Sequence, residues 1–292
     1  MKRAVLVGLA LIGGFGVAGC GVDAGAPPAP GEPKLGAIPT VARYADVEFP
    51  LDRFRTRPEE FLMLSRAHDV VVRDCLARFG IGYVVPERVL VPDVDRPVGV
   101  VSVDDAARFG YESPFAADVA AVDEANAAVE PLSGVARGVL RGDGQRTVDG
   151  VTVPVDGCVG EARRALVNRN PDRENVVVGL AADSYAMAEA DSRVRAVFTG
   201  WSRCMSAAGF DYRDPWAANN DPAFGTGVPT AEEIATAKAD VACRTEENVN
   251  GVWVAVITAY QERLVTEHRD VLNQRRDEIE TQLVAATDLL DA

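Results

Sequence analysis

Apolar residues recur at helical spacing along much of this chain. The first stripe begins soon after residue 56 and comprises Phe61, Leu64, His68, Val71, Cys75 and Phe79. Intervals of three and four residues predict an amphipathic helix, and Gly80 is typical of a residue that ends one. Thr56 and Glu59 have the spacing of a capping box at its start, and Thr230 and Glu233 have the same spacing before a later helix.

The second half of the chain predicts more helix. Residues 173–208 form a helical region broken near Asp191 and ended by Gly209. Residues 252–290 predict one long final helix, whose apolar face must pack against another helix.

The segment between residues 81 and 157 is irregular, with valine-rich runs broken by proline. It predicts short helices near residues 104–109 and 115–129. A hairpin is expected in TVDGVTV, where Asp149 and Gly150 suit a tight turn.

One motif occurs twice. The pattern Cys-x4-Gly-apolar-x-Tyr-x2-Pro starts at Cys75 and again at Cys204, and each copy is followed by a helix bearing Cys-x2-Glu, at Cys158 and Cys243. In each copy the glycine ends a helix and the next apolar residue packs back on its last turn. The predicted fold is therefore mostly α: a helical bundle of two disulfide-stapled helix-pair repeats, about residues 56–170 and 173–292, with a minor β or irregular insertion in the first.

The N-terminus predicts export. Residues 1–19 read as a signal peptide, with a positive start and an apolar run too short to span a bilayer. They lead into VAGC, which resembles the lipobox of bacterial lipoproteins and implies acylation of Cys20. Residues 20–40 are rich in Pro, Ala and Gly and predict a lipid-anchored tether. Residues 41–292 are then a mainly helical globular domain on the outside of the cell membrane.

The four other cysteines favour two disulfides, since an even number in an exported chain is typical of a disulfide framework. Pairs Cys75–Cys158 and Cys204–Cys243 join equivalent positions within each repeat. The competing pairing, Cys75–Cys204 with Cys158–Cys243, joins equivalent cysteines across the repeats. A four-cysteine zinc site is the remaining alternative, but no C-x2-C or C-x4-C spacing favours it.

Composition bears on partners. The net charge is −14, and loss of Lys2 and Arg3 with the signal peptide lowers it to −16. Such a surface repels phosphate backbones, so nucleic acid is not an expected partner. An envelope protein or a cationic ligand is an expected partner. The membrane is another, because the protein reaches it through the lipid on Cys20.

Few residues point to chemistry. The chain has only two histidines, His68 and His268, and no serine-hydrolase, zinc-protease or P-loop motif. Asp93 and Asp95 have a calcium-like spacing without the glycine and glutamate that complete such a loop. We expect no catalytic residue, metal or cofactor.

The combination of lipobox, tether, W-x2-CM-x3-GFDY-x-DP, EEIATAKADVACR and AYQERL resembles a group of actinobacterial cell-surface lipoproteins of unknown function. The resemblance is most specific over residues 201–264 and implies no assigned activity. We therefore expect a non-catalytic binding module of the envelope. The alternative is an extracytoplasmic enzyme that uses carboxylates such as Glu161 and Glu246, which follow a cysteine at the same spacing.

Overall fold

The computed structural model describes residues 31–43, 46–88, 99–128, 131–132, 134–167, 173–225 and 227–292. The mostly helical fold is confirmed, since these residues form eleven α-helices and one two-stranded antiparallel sheet. The first half contains α1 (Pro58–Ala77), α2 (Val103–Phe109), α3 (Ala116–Ala127), α4 (Gly134–Arg141), β1 (Thr147–Val148), β2 (Val151–Thr152) and α5 (Gly157–Ala165). The second half contains α6 (Arg173–Ala190), α7 (Ser192–Ala207), α8 (Pro215–Asn219), α9 (Ala231–Glu246), α10 (Val249–Glu267) and α11 (Arg269–Asp291).

The predicted break near Asp191 is confirmed, and Asp191 begins α7. Its Oδ1 accepts hydrogen bonds from the backbone N–H of Arg193 at 3.0 Å and from Arg193 Nε at 2.8 Å, while Tyr260 Oη donates to its Oδ2. Burial raises the pKa of Asp191, but the hydrogen bonds and charge of Arg193 lower it more, so the pKa lies below its ordinary value. The carboxylate is therefore held ionised inside the fold.

The predicted single final helix is wrong. The chain forms α10 and α11 with a break at His268, whose backbone N–H donates to Leu264 O and whose carbonyl accepts from Leu272 N. Most of α10 is buried beside α6 and α7, whereas α11 packs against α1. One straight helix cannot follow both packing directions, so the break is a consequence of tertiary contacts.

The predicted hairpin is present but short, with Thr147 opposite Thr152 and Val148 opposite Val151. Asp149 and Gly150 both have positive φ, as a tight turn of this kind requires. The short helices expected near residues 104–109 and 115–129 correspond to α2 and α3.

The repeated motif ends α1 and α7 in the same way. Gly80 and Gly209 have φ of 67° and 94°. The following residues, Ile81 and Phe210, donate their N–H groups back to the carbonyls of Leu76 and Met205 at 3.1 and 2.9 Å. This is the Schellman arrangement, in which the residue after the glycine also packs on the last turn. The local role predicted from the sequence is confirmed in both copies.

The capping boxes differ from the prediction. Helix α1 begins one residue later than expected, because the side chain of Glu60 accepts from the backbone N–H of Arg57 at 2.9 Å. Thr230 does cap α9 by accepting from the N–H of Glu233. The carboxylate of Glu233, however, turns into the core and accepts from the N–H of Tyr111 at 3.1 Å.

Residues 31–43 contain no helix or strand, yet they lie against the helical body. Leu35, Ile38 and Val41 pack on the main core. Glu32 accepts hydrogen bonds from the N–H and hydroxyl groups of Ser192 at 2.7 and 2.9 Å. Residues 31–40, which the sequence assigns to the tether, therefore contact the helical body through spaced apolar residues that helical periodicity does not reveal.

The two halves of the chain interlock. Helix α2 of the first half packs on α9 of the second, and α11 of the second half packs along α1 and near α5. The structure therefore contains two stapled helix pairs, α1 with α5 and α7 with α9, within shared cores. Their origin by duplication stays a prediction.

Candidate functional site: a pocket between three helices

The predicted disulfide pairing is confirmed. The first disulfide, Cys75–Cys158, joins α1 to α5, and the second, Cys204–Cys243, joins α7 to α9, each with a Cα–Cα distance of 5.6 Å. Each bond lies inside one helix pair. Disulfides persist in oxidising compartments, so these two fit an extracytoplasmic location.

The two glutamates of the predicted carboxylate site lie in different helix pairs. Glu161 on α5 forms an ion pair with Arg78, with 2.5 Å between Nη2 and Oε2. Glu246 on α9 is exposed, and its Oε2 lies 3.6 Å from the sulfur of Cys204. Neither carboxylate lines either of the two pockets described below, and their positions in separate helix pairs give them no shared chemistry.

Other predicted positions divide into two groups. Cys20, Asp93 and Asp95 lie outside the described residues. His268 is exposed at the junction of α10 and α11, whereas His68 lies on the wall of a pocket.

This pocket, which we call the interhelical pocket, has a volume of about 280 Å³ and lies where α1, α5 and α11 meet. Its described lining comprises Thr56, Phe61, Leu64, Ser65, His68, Arg88, Arg163, Leu166, Arg275 and Gln282. The volume is just below the roughly 300–1,000 Å³ typical of small-molecule sites. Its lining includes three arginines and no aspartate or glutamate, in a chain whose net charge is −14.

Helix α1 supplies one wall through its periodicity. Phe61, Ser65 and His68 follow one another at four and three residues, so they share a face of the helix. Leu64 and Leu166 contribute to the apolar cluster packed between α1, α5 and α11. This cluster forms the apolar floor of the pocket.

Arg88 and Asp69 form a partly buried ion pair beside the pocket. Arg88 Nη1 donates to Asp69 Oδ2 and, at 3.3 Å, to the carbonyl of Pro86. Burial raises the pKa of Asp69, but the hydrogen bonds from His68 and Arg88 and the charge of Arg88 lower it more, leaving it below the ordinary value. Asp69 thus compensates the charge of Arg88 from behind the wall.

The other two arginines differ in burial. Arg275 on α11 is buried and donates from Nη2 to the hydroxyl of Thr56 at 3.0 Å. Arg163 on α5 is exposed and forms no ion pair with any described residue. It is therefore available to a solute at the pocket mouth.

Sequence reasoning missed these arginines. Arg88 follows α1, Arg163 lies on α5 and Arg275 lies on α11, so no spacing connects them. The sequence pattern did mark Thr56 as a cap and Phe61, Leu64 and His68 as members of the apolar stripe of α1, but neither role indicates a ligand site.

A second depression, of about 430 Å³, lies at the junction of α10 and α11. It is more open, and its described lining consists of the consecutive residues 266–271. It brings together no side chains from separate helices, so we do not consider it a site.

A buried polar cluster around Asp240 has a structural role. Its carboxylate accepts hydrogen bonds from Trp201 Nε1 at 2.7 Å, Arg244 Nε at 2.7 Å and Tyr111 Oη at 3.2 Å. Burial and the adjacent carboxylate raise the pKa of Tyr111, which therefore remains a donor. The cluster ties α7, α9 and the segment directly after α2 together.

No helix within the described ranges is both long and apolar enough to cross a bilayer. Nor do those ranges bring together three or more His, Cys, Asp or Glu side chains in a way that could hold a metal ion.

Comparison with known proteins adds no assignment. No family model, curated protein or solved structure matches this chain.

Proposed function

We propose that this protein is a non-catalytic binding protein on the outer face of the cell envelope, anchored by a lipid on Cys20, and that it binds its ligand in the interhelical pocket. The observation that carries the binding role is the pocket itself, where polar groups from three separate helices converge over an apolar floor. Ligand sites between helices of a bundle commonly have this composition.

A binding role is favoured over the carboxylate-enzyme alternative. Glu161 is engaged by Arg78, and Glu246 lies on another helix pair at the surface. A general acid or base must lie within hydrogen-bonding reach of a bound substrate. No specific observation favours a reaction at either residue.

Lipid anchoring is supported by the VAGC sequence and by the two disulfides, which fit an exported protein. Two acyl chains suffice for stable attachment to a bilayer. Metabolic labelling with a fatty-acid analogue tests the anchor: the label should be lost in Cys20→Ala, and label that persists in this variant would contradict it.

Photo-cross-linking in intact cells tests the binding role without assuming a ligand. Phe61 lines the pocket and is 61% exposed, so p-benzoylphenylalanine can replace it with little disturbance. Val155 is 75% exposed outside the pocket and provides the matched control position. We expect a discrete adduct, detected by intact-protein mass spectrometry, at position 61 and not at position 155. No adduct at position 61, or equal adducts at both positions, would refute a binding role for the pocket.

The acidic surface also leads us to propose that a cationic ligand or an envelope protein can associate outside the pocket. The net charge of −14 supports this second mode. Its affinity should fall steeply with added salt, because exposed charges are screened beyond about 10 Å at 0.1 M ionic strength.

A further inference from the structure

We propose that the interhelical pocket takes a small anionic amphiphile: a phosphate or carboxylate head group bound by arginine, with a short apolar part over the leucine floor. This inference rests on the proposed function, because it names the ligand class of the same pocket. It differs from the cationic partner that net charge alone predicts.

The charges of the lining favour an anion. The three lining arginines come from three different segments of the chain. Arg88 is paired with Asp69, which is buried behind it. Arg163 has no ion-pair partner among the described residues and is exposed at the mouth. A guanidinium presents a planar fork of donors that matches phosphate and carboxylate oxygens.

Neutral donors reinforce this preference. The pocket lining adds the hydroxyls of Thr56 and Ser65 and the amide of Gln282. Thr56 already accepts a hydrogen bond from the buried Arg275, which leaves its hydroxyl proton free to donate to a ligand oxygen. A carboxylate or phosphate is acceptor-rich and matches a lining dominated by donors.

The apolar residues define the other end of the ligand. Leu64 and Leu166 belong to the cluster under the pocket, and Phe61 extends over its edge with most of its ring exposed. A short alkyl or aromatic group would cover these surfaces and remove them from water. A cavity of about 280 Å³ limits the ligand to a head group and a few carbons.

The acidic surface of the whole protein restricts the ligand further. A net charge of −14 repels polyanions at long range, so the pocket does not attract nucleic acid or other extended phosphate chains. Binding of a small monoanion or dianion instead depends on close contacts inside the pocket. Arg163 should therefore contribute strongly and locally.

Calorimetric titration of the full chain in phosphatidylcholine nanodiscs tests the ligand class. The probes are hexyl phosphate, inorganic phosphate and hexylammonium, with empty nanodiscs as background. We expect hexyl phosphate to bind at least about tenfold more tightly than either of the others, because only it provides both the charge-assisted hydrogen bonds and the apolar contact. Hexylammonium binding as tightly as hexyl phosphate would overturn the proposal.

Arg163→Gln removes the proposed anion contact from an exposed helix position and should weaken hexyl phosphate binding about tenfold or more. Arg203→Gln is the matched control, because Arg203 is also exposed on a helix without an ion pair to a described residue, outside the pocket. It should change the Kd less than about twofold, since surface substitutions away from such contacts have small effects. Arg163→Lys should retain part of the affinity, because charge remains while the fork is lost. Equal effects of the Arg163 and Arg203 glutamine variants would overturn the assignment.

Replacing phosphatidylcholine by phosphatidylglycerol distinguishes two sources of the anion. Competition by phosphatidylglycerol would identify a membrane lipid head group, and unchanged hexyl phosphate affinity would identify a soluble amphiphile. If the cross-linking experiment gives an adduct at position 61 but the titration shows no binding of hexyl phosphate, the anionic ligand class alone is refuted. Absence of both would refute the proposed pocket function as well.

Discussion

The ion pair between Asp240 and Arg244 provides the sharpest stability prediction. Asp240 is 0% exposed and Arg244 is 2% exposed, with 2.7 Å between Oδ1 and Nε. Arg244 also donates to Asn250 Oδ1 at 3.1 Å and lies over the ring of Trp216. Asp240→Asn keeps the size of the side chain and an acceptor oxygen but leaves a buried cation without its carboxylate.

Breaking one side of such a pair costs about 3–5 kcal/mol, because the remaining charge stays buried without its ion-pair partner. We expect this loss for Asp240→Asn and a similar one for the near-isosteric Arg244→Met. The double variant removes both charges and retains an amide that can accept from Trp201 and Tyr111. The double variant should therefore lose much less stability than the two single losses added together. The difference, the coupling energy, should be about 1–3 kcal/mol.

Guanidinium denaturation without reductant, followed by tryptophan fluorescence and far-ultraviolet circular dichroism, measures all four corners of this cycle. Asp123→Asn, at an exposed position on α3, is the control and should cost less than about 0.5 kcal/mol. A loss below about 1 kcal/mol for Asp240→Asn, or additive single losses, would show that the two charges do not stabilise one another.

Three further outcomes follow from particular contacts. Changing both cysteines of the first disulfide to serine should lower the free energy of unfolding by about 4.6 kcal/mol, and the same change in the second disulfide by about 3.9 kcal/mol. The first loss is larger because its cysteines are 83 residues apart and those of the second are 39 apart. A larger loss for the second disulfide in chemical denaturation would contradict the loop-entropy argument. Because the pKa of Asp191 is lowered in the folded chain, its ionised form stabilises the fold above the ordinary value of about 3.9, and this stability is lost as pH falls through the folded pKa. Asp191→Asn should flatten the acid limb of a stability–pH curve, while Asp123→Asn should leave it steep. Gln261→Leu removes the acceptor that lies 3.0 Å from the buried N–H of Leu51, and it should lower the free energy of unfolding by about 1–3 kcal/mol. Thermal or chemical unfolding measures this loss, with the exposed Gln274→Leu as control. An equal loss in both variants would contradict the prediction.

Local signals in the sequence determined the mostly helical fold and the glycine ends of α1 and α7, and a repeated pattern predicted the disulfide pairing. Gly80 and Gly209 end helices because glycine readily adopts the left-handed conformation that stops a helix. This property is local to the chain. The pairing was predictable because Cys75 with Cys158, and Cys204 with Cys243, occupy equivalent places in two copies of one pattern. The helix ends need only the few residues around them, whereas the pairing required the comparison of two distant segments of the sequence.

The tertiary structure decided where the chain bends, which polar side chains enter the core and where a ligand can bind. The break at His268 occurs because α10 and α11 pack on different partners. Glu233 leaves its capping box because the N–H of Tyr111, distant in sequence, lies beside it. Arg88, Arg163 and Arg275 meet around one pocket only because α5 and α11 pack on α1. Contacts of this kind depend on the relative positions of whole helices, which periodicity within each helix does not specify.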